Sequence, residues 1–117
     1  MPYISIRTTN KFNSSDDTSS FAKEITINLS DILKKGVDTI MLDIQTIDSL
    51  YIDGREINNG AVVEVKAFGV TPPNTKKQVN NFIVNLFESN FNIIKSNIYV
   101  IYSDKQEWGY KGSFISK

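Results

Sequence analysis

Met1-Pro2-Tyr3-Ile4-Ser5-Ile6-Arg7 opens the chain, and its alternation decides how the first element folds. Ile4 and Ile6 fall on one side and Tyr3, Ser5 and Arg7 on the other, the period of a half-buried strand. Proline is tolerated at the first residue of a strand. Processing usually removes an initiator methionine that precedes a small residue such as proline. The mature chain would then begin with a secondary amine on a rigid ring at the head of a strand. An α-amino group titrates at about 7.7–8.0, against about 10.4 for lysine. Burial and nearby cations lower it further. Pro2 is therefore a candidate general base near neutral pH. The plainer reading, that Pro2 signals only methionine removal, is the commoner one for the dipeptide by itself.

The rest of the composition narrows the chemistry. The 117 residues suffice for one domain, taken as 1–117, with a real core. Thirteen basic residues balance thirteen acidic ones, which argues against a general nucleic-acid or membrane-surface binder. No apolar run approaches the roughly 20 residues that span a bilayer, and no signal peptide is visible. A cytoplasmic protein is expected. The chain has neither cysteine nor histidine, so thiol chemistry and the usual metal ligand and general base are absent. No metal or cofactor is expected. Proton chemistry, if any, must use an amine, a carboxylate or a tyrosine.

Behind the first strand, Asp16, Asp17 and Thr18 supply cap candidates and negative charge for a helix start. Phe21, Ile25, Leu29, Ile32 and Leu33 then recur at helical spacing. The pattern predicts a helix from about Asp17 to Lys35, with Gly36 beyond its end. Thr39 to Ile47 alternates as a second strand, and a helical crossover makes it a parallel neighbour of the first. Ser49 to Gly60 carries the turn signals Asp53-Gly54 and Asn58-Asn59-Gly60 and reads as a short hairpin or irregular loop. Ala61 to Phe68 is the third strand. Thr71-Pro72-Pro73 predicts a helix start with Thr71 as cap and Pro72 at the first helical position. Val79, Phe82, Ile83, Leu86 and Phe87 form its apolar stripe, and Asn90 or Asn92 ends it. Asn97 to Ser103 is the fourth strand. Trp108, Tyr110 and Phe114 in the tail suggest packing rather than disorder.

The order is strand-helix-strand, twice. Two such units give an α/β (α+β) fold: a four-stranded mixed sheet with both helices on one face. The other face carries Tyr3, Ser5, Arg7, Met41, Asp43, Gln45, Val62, Glu64, Lys66, Phe68, Tyr99 and Ile101. That row is too apolar to be purely solvated and too charged for a dry core. An interface between identical subunits, with charges paired, fits both properties; plain solvent exposure is the bland alternative.

These residues resemble the tautomerase superfamily. The strand opened by Pro2 is similar to that family's first strand. Val63-Glu64-Val65-Lys66-Ala67-Phe68-Gly69 and Tyr99-Val100-Ile101-Tyr102-Ser103-Asp104 resemble the third- and fourth-strand motifs of its macrophage migration inhibitory factor branch. The closest likeness is to a bacterial branch of unknown function, which shares the Met-Pro start, an arginine near position seven, the Val-Glu-Val strand and a tail like Trp108-Gly109-Tyr110. The resemblance covers nearly the whole chain and rests on the order and spacing of short motifs. It implies a homotrimer with active sites at subunit interfaces, and keto-enol proton transfer on a small 2-oxo or 2-hydroxydienoate-type acid without a cofactor. Pro2 would be the catalytic base. Lys35 would take the position of a site lysine. Phe68 would replace an aliphatic residue whose backbone amide touches substrate. Tyr99 would enter the pocket from a neighbouring subunit. Two features depart from the branch: Ile101 stands where it has a polar site residue, and a Cys-X-X-Cys of some members is absent. Arg7 has the opposite side-chain parity to Pro2 and lies roughly 16 Å along the strand, so any site role for it would cross an interface.

The residues support three readings. In the first, Pro2 moves a proton while Lys35, with Arg55 as a further candidate, binds a carboxylate and stabilises the enolate. Against each stands a plain alternative: a solvated lysine after a helix, a turn arginine, a strand tyrosine at 99. In the second, the same trimeric fold is a non-catalytic binding or structural protein. A ferredoxin-like RNA-binding module ranks last, because basic excess and stacking aromatics are missing.

Overall fold

The computed structural model describes residues 1–116. The opening alternation forms strand β1 (Pro2–Thr8), in which Pro2, Ile4, Ile6 and Thr8 are buried and the residues between them are not. Helix α1 (Ser15–Leu33) comes next, and Ser14 caps it by accepting the Asp17 N–H at 3.1 Å. It ends earlier than the sequence suggests. Lys34, rather than Gly36, takes the left-handed conformation at φ 57°, and Lys35 lies past the helix with its N–H donating to the Ser30 carbonyl at 3.1 Å. A single 3₁₀ turn, Val37–Thr39, replaces the expected start of the second strand.

Strand β2 (Met41–Thr46) runs parallel to β1, and two short strands, β3 (Leu50–Ile52) and β4 (Arg55–Ile57), form the hairpin after it. Asp53 and Gly54 both have positive φ, 57° and 68°, the requirement of a two-residue type I′ turn. Strand β5 (Ala61–Phe68) lies antiparallel to β1 and has the expected bounds. Helix α2 (Pro73–Phe91) starts one residue later than expected. Pro72 is its N-cap and Pro73 occupies the first turn, so Thr71 is left for another role. Asn92 ends it in the left-handed conformation, as expected of an asparagine there. Strand β6 (Ile98–Lys105) runs parallel to β5 and is two residues longer at its end than the alternation indicates. The aromatic tail folds as a second hairpin, β7 (Glu107–Tyr110) with β8 (Ser113–Ser116), turning at Lys111 and Gly112, both at positive φ.

The main sheet has the order β2-β1-β5-β6, with β1 antiparallel to β5 and each outer pair parallel. This is the mixed four-stranded sheet that two strand-helix-strand units predict. The core lies between one face and both helices: Ile4, Ile6, Val63 and Val65 from the strands meet Phe21, Ile25 and Leu29 of α1 and Val79, Ile83 and Phe87 of α2. A cluster of Phe12, Phe21, Phe87 and Phe91 closes the core at one end, with ring centroids 5.1–5.7 Å apart in tilted or edge-on pairs. Thr8 is the buried polar exception. Its hydroxyl donates to the Gly60 carbonyl at 3.0 Å and accepts the Asn10 N–H at 3.1 Å, pinning the far end of β1 to the segment before β5.

Candidate active site

Pro2 begins β1 on its helix-facing side and is fully buried as a side chain. It pairs with Ala67 of β5, so the N-terminus lies beside the last residues of that strand. There the Phe68 N–H donates to the Met1 carbonyl at 3.3 Å. The Met1 α-amino group is pushed below its ordinary value, mainly by burial and further by the positive charge of Lys35. The geometry thus brings Pro2, Lys35 and Phe68 to one end of the sheet. Lys35 arrives there because the chain leaves α1 at the left-handed Lys34 and turns toward β2.

A cavity of about 1050 Å³ opens at this end. Pro2, Met41 and Leu42 line it from the sheet, Ile40 from the residue before β2, and Trp108 and Tyr110 from β7. The tail aromatics therefore wall this cavity as well as packing. The only hint of this in the sequence is the alternation of Trp108 and Tyr110 about Gly109, ahead of a Lys111-Gly112 turn. Asp38, Asp43 and Glu107 also line the cavity. Asp43 accepts hydrogen bonds from the Tyr3 hydroxyl and from Ser5 Oγ, the latter at 3.1 Å. The bond to Asp43 holds the Tyr3 phenol above its ordinary range, with lesser help from burial. Sequence reasoning named none of these carboxylates for the site.

Tyr99 lies elsewhere in the same protomer. It pairs with Val62, which pairs with Arg7, so it stands at the opposite end of β1 from Pro2. Five residues of strand separate the two rows, roughly 16 Å. Tyr99 is 59% exposed and borders a smaller cavity, about 260 Å³, with Leu50 and Tyr51 of the β3–β4 hairpin. Arg55 is exposed at the start of β4. Neither meets Pro2 within one chain.

The outer sheet face forms three cross-strand rows: Met41-Tyr3-Lys66-Ser103, Asp43-Ser5-Glu64-Ile101 and Gln45-Arg7-Val62-Tyr99. Met41 is 69% and Ile101 44% exposed. Among the described residues, Arg7, Lys66, Asp43 and Glu64 make no ion pair within 4.0 Å; the pairs present are Lys34–Asp31, Lys76–Asp104 and Lys95–Glu88. No helix among the described residues is long and apolar enough to cross a membrane.

Comparison with known proteins gives a consistent result. Residues 1–116 match the family described as macrophage migration inhibitory factor (MIF). No curated protein matches the chain. Among solved structures, the chain is similar to a macrophage migration inhibitory factor homologue from Prochlorococcus marinus, at 23% identity and a TM-score of 0.85, over 97% of this chain and 99% of that one. MIF2 of Leishmania major is similar at 18% identity and a TM-score of 0.85, over 98% and 97% of the two chains. A third, Pt0534 inactivated by 2-oxo-3-pentynoate, is 13% identical with a TM-score of 0.82, over 97% of this chain and 94% of that one. At these identities the structural likenesses speak for the fold alone.

Proposed function

The chain belongs to the macrophage migration inhibitory factor family, and from that premise we propose that it is a cofactor-independent tautomerase whose base is the Pro2 amine, exposed by removal of Met1. The observation that carries this reading is the place of Pro2, which heads β1 and lines the cavity at this end of the sheet; burial there and the charge of Lys35 both push the α-amino group of Met1 below its ordinary value. Those surroundings would act on the amine of Pro2 in the same sense. An amine whose charged form is disfavoured in this way takes the proton of the enol hydroxyl and returns it to carbon at the other end of the conjugated system, leaving the ketone.

The remaining roles come from position. Loss of Met1 removes the carbonyl to which the Phe68 N–H donates at 3.3 Å. A substrate oxygen in that place would accept from the same donor, where enolate charge develops. Lys35 would bind the carboxylate of a small 2-oxo or 2-hydroxydienoate-type acid. Trp108 and Tyr110 would cover its apolar part. Tyr99 would complete the pocket from a neighbouring subunit of a homotrimer, since its own protomer holds it at the far end of β1. The same assembly would give the exposed Met41 and Ile101 a cover. It would also offer partners to the charges of the outer face.

Ile101 favours a second reading, a trimeric binding protein without catalysis, because an apolar side chain stands where a polar site residue is expected. One experiment separates the two. Protein lacking Met1 is given enol phenylpyruvate, and the amine is then labelled with 2-oxo-3-pentynoate and located by peptide mass. Enol-to-keto conversion lost in step with labelling of Pro2 supports the enzyme. Trimeric protein with no conversion and an unlabelled Pro2 supports the binding protein.

A further inference from the structure

The turn after β5 carries Phe68 to the N-terminus, and it is held from several sides. Gly69, at φ 98°, donates its N–H to the Lys105 carbonyl at 2.8 Å. The Thr71 N–H donates to Asp104 Oδ2 at 3.3 Å, and the Thr71 and Tyr102 hydroxyls share a hydrogen bond of 2.8 Å. Lys76, in the first turns of α2, places Nζ 3.0 Å from the same Asp104 Oδ2 and 5.3 Å from the centroid of the Tyr102 ring. These contacts are why Thr71 does not cap α2. Its backbone and hydroxyl are engaged by β6 instead.

Asp104 Oδ1 is buried and has no hydrogen-bond partner among the described residues. A buried acceptor left in that state costs stability, and a single partly exposed ion pair contributes little in return. The Asp104 side chain is 22% exposed and that of Lys76 38%. Nor does the packing of α2 on the sheet need the cluster. Val79, Ile83, Leu86 and Phe87 hold the helix through the core. A buried polar cost that packing does not explain points to another role.

The row across the sheet supplies one. Pro2 pairs with Ala67, and Ala67 pairs with Asp104. We propose that Asp104 is a positioning residue for the Pro2 site: with Lys76, Thr71 and Tyr102 it clamps the Phe68–Thr71 turn, and so fixes the Phe68 N–H and the end of β5 against the base. The inference rests on the proton-transfer reading above. Charge on the clamp persists at neutral pH. Burial pushes the Asp104 carboxyl up, but the Lys76 ammonium and the Thr71 hydrogen bonds outweigh it and leave the group below its ordinary value.

The test uses full-length protein lacking Met1, as wild type and as Asp104→Asn, Lys76→Met and Lys76→Arg. Enol phenylpyruvate is the probe, and backbone amide exchange is followed residue by residue. Asp104→Asn and Lys76→Met are expected to lower kcat about tenfold or more with KM within about twofold, since small misplacement of a reacting group is costly. Lys76→Arg, which keeps the ion pair, restores kcat. Exchange at Gly69 and Thr71 should quicken about tenfold or more in the two disruptive variants while the core amides of Ile4 and Val65 are unaffected. An active wild type whose kcat survives Asp104→Asn overturns the proposal, as does quickened exchange throughout the core. A wild type with no activity counts against the proton-transfer reading instead. The clamp is then decided by exchange, and unchanged Gly69 and Thr71 amides in Asp104→Asn overturn it.

Discussion

Replacing Phe87 by alanine tests the division of labour between core and site. Phe87 is 0% exposed, and its ring meets Phe21 edge-on at 5.5 Å and Phe91 at 5.7 Å. Those partners come from both helices, so truncation leaves a cavity where α1 and α2 meet rather than a dent at the surface. Removal of a buried phenylalanine costs about 3–5 kcal/mol, and the loss of two ring pairs favours the upper half. A chain of this length has a total stability of about 6–18 kcal/mol, so a large share of it is at stake. The phenylalanine cluster lies near Phe12, beyond the Thr8 end of β1, roughly 20 Å from Pro2 along the strand. Activity per folded protomer should therefore be retained. Denaturant unfolding at fixed protomer concentration reads the loss, and conversion of enol phenylpyruvate at low temperature reads the activity. A cost below about 1.5 kcal/mol would refute the packing argument. Lost activity in a fully folded variant would refute the separation of core from site.

Thr8→Val keeps the shape but removes the hydroxyl between Asn10 N–H and the Gly60 carbonyl; urea unfolding should show a loss of about 1–3 kcal/mol. Asp43→Asn removes the charged acceptor of the Tyr3 hydroxyl, so ultraviolet titration should find the Tyr3 phenol lower than in wild type; an unmoved phenol would count against that bond. Lys35→Met removes the cation that helps depress the α-amino group, and NMR titration should find that group higher than in wild type. Sedimentation should give three protomers, and Tyr99→Ala should weaken activity while leaving the amine in place; a stable monomer would remove Tyr99 from the site.

The sheet is legible in the sequence because alternation and helix length both report on it. Ile4 and Ile6, or Val63 and Val65, announce buried faces, and a crossover the length of α1 requires a parallel partner. Turn chemistry is less dependable. Asp53-Gly54 marks its hairpin, but Lys34 adopts the left-handed conformation although a glycine stands two residues on. Hydrogen bonding of the helix end sets that boundary, and composition does not. Thr71 has the character of a cap because of the prolines after it, yet a tertiary partner, Asp104, claims it. The candidate site is legible in part. Pro2 and Lys35 are marked by their own chemistry and by the family likeness. The wall formed by Trp108 and Tyr110 depends on where the β7–β8 hairpin lies, and the carboxylates of Asp38, Asp43 and Glu107 meet there only in three dimensions.

The measurement closest to the central claim is titration of the Pro2 amine itself, in protein lacking Met1 and carrying ¹⁵N-proline, with enol conversion followed on the same samples. Burial and Lys35 disfavour the charged form, so the amine should titrate below the ordinary α-amino range of about 7.7–8.0. Its protonated state prevails only below that depressed value. Activity should therefore be present above it and fall away as pH drops through it, the two curves sharing a midpoint. An amine that titrates within or above the ordinary range, or activity whose acid limb ignores it, would contradict the assignment of Pro2 as the base.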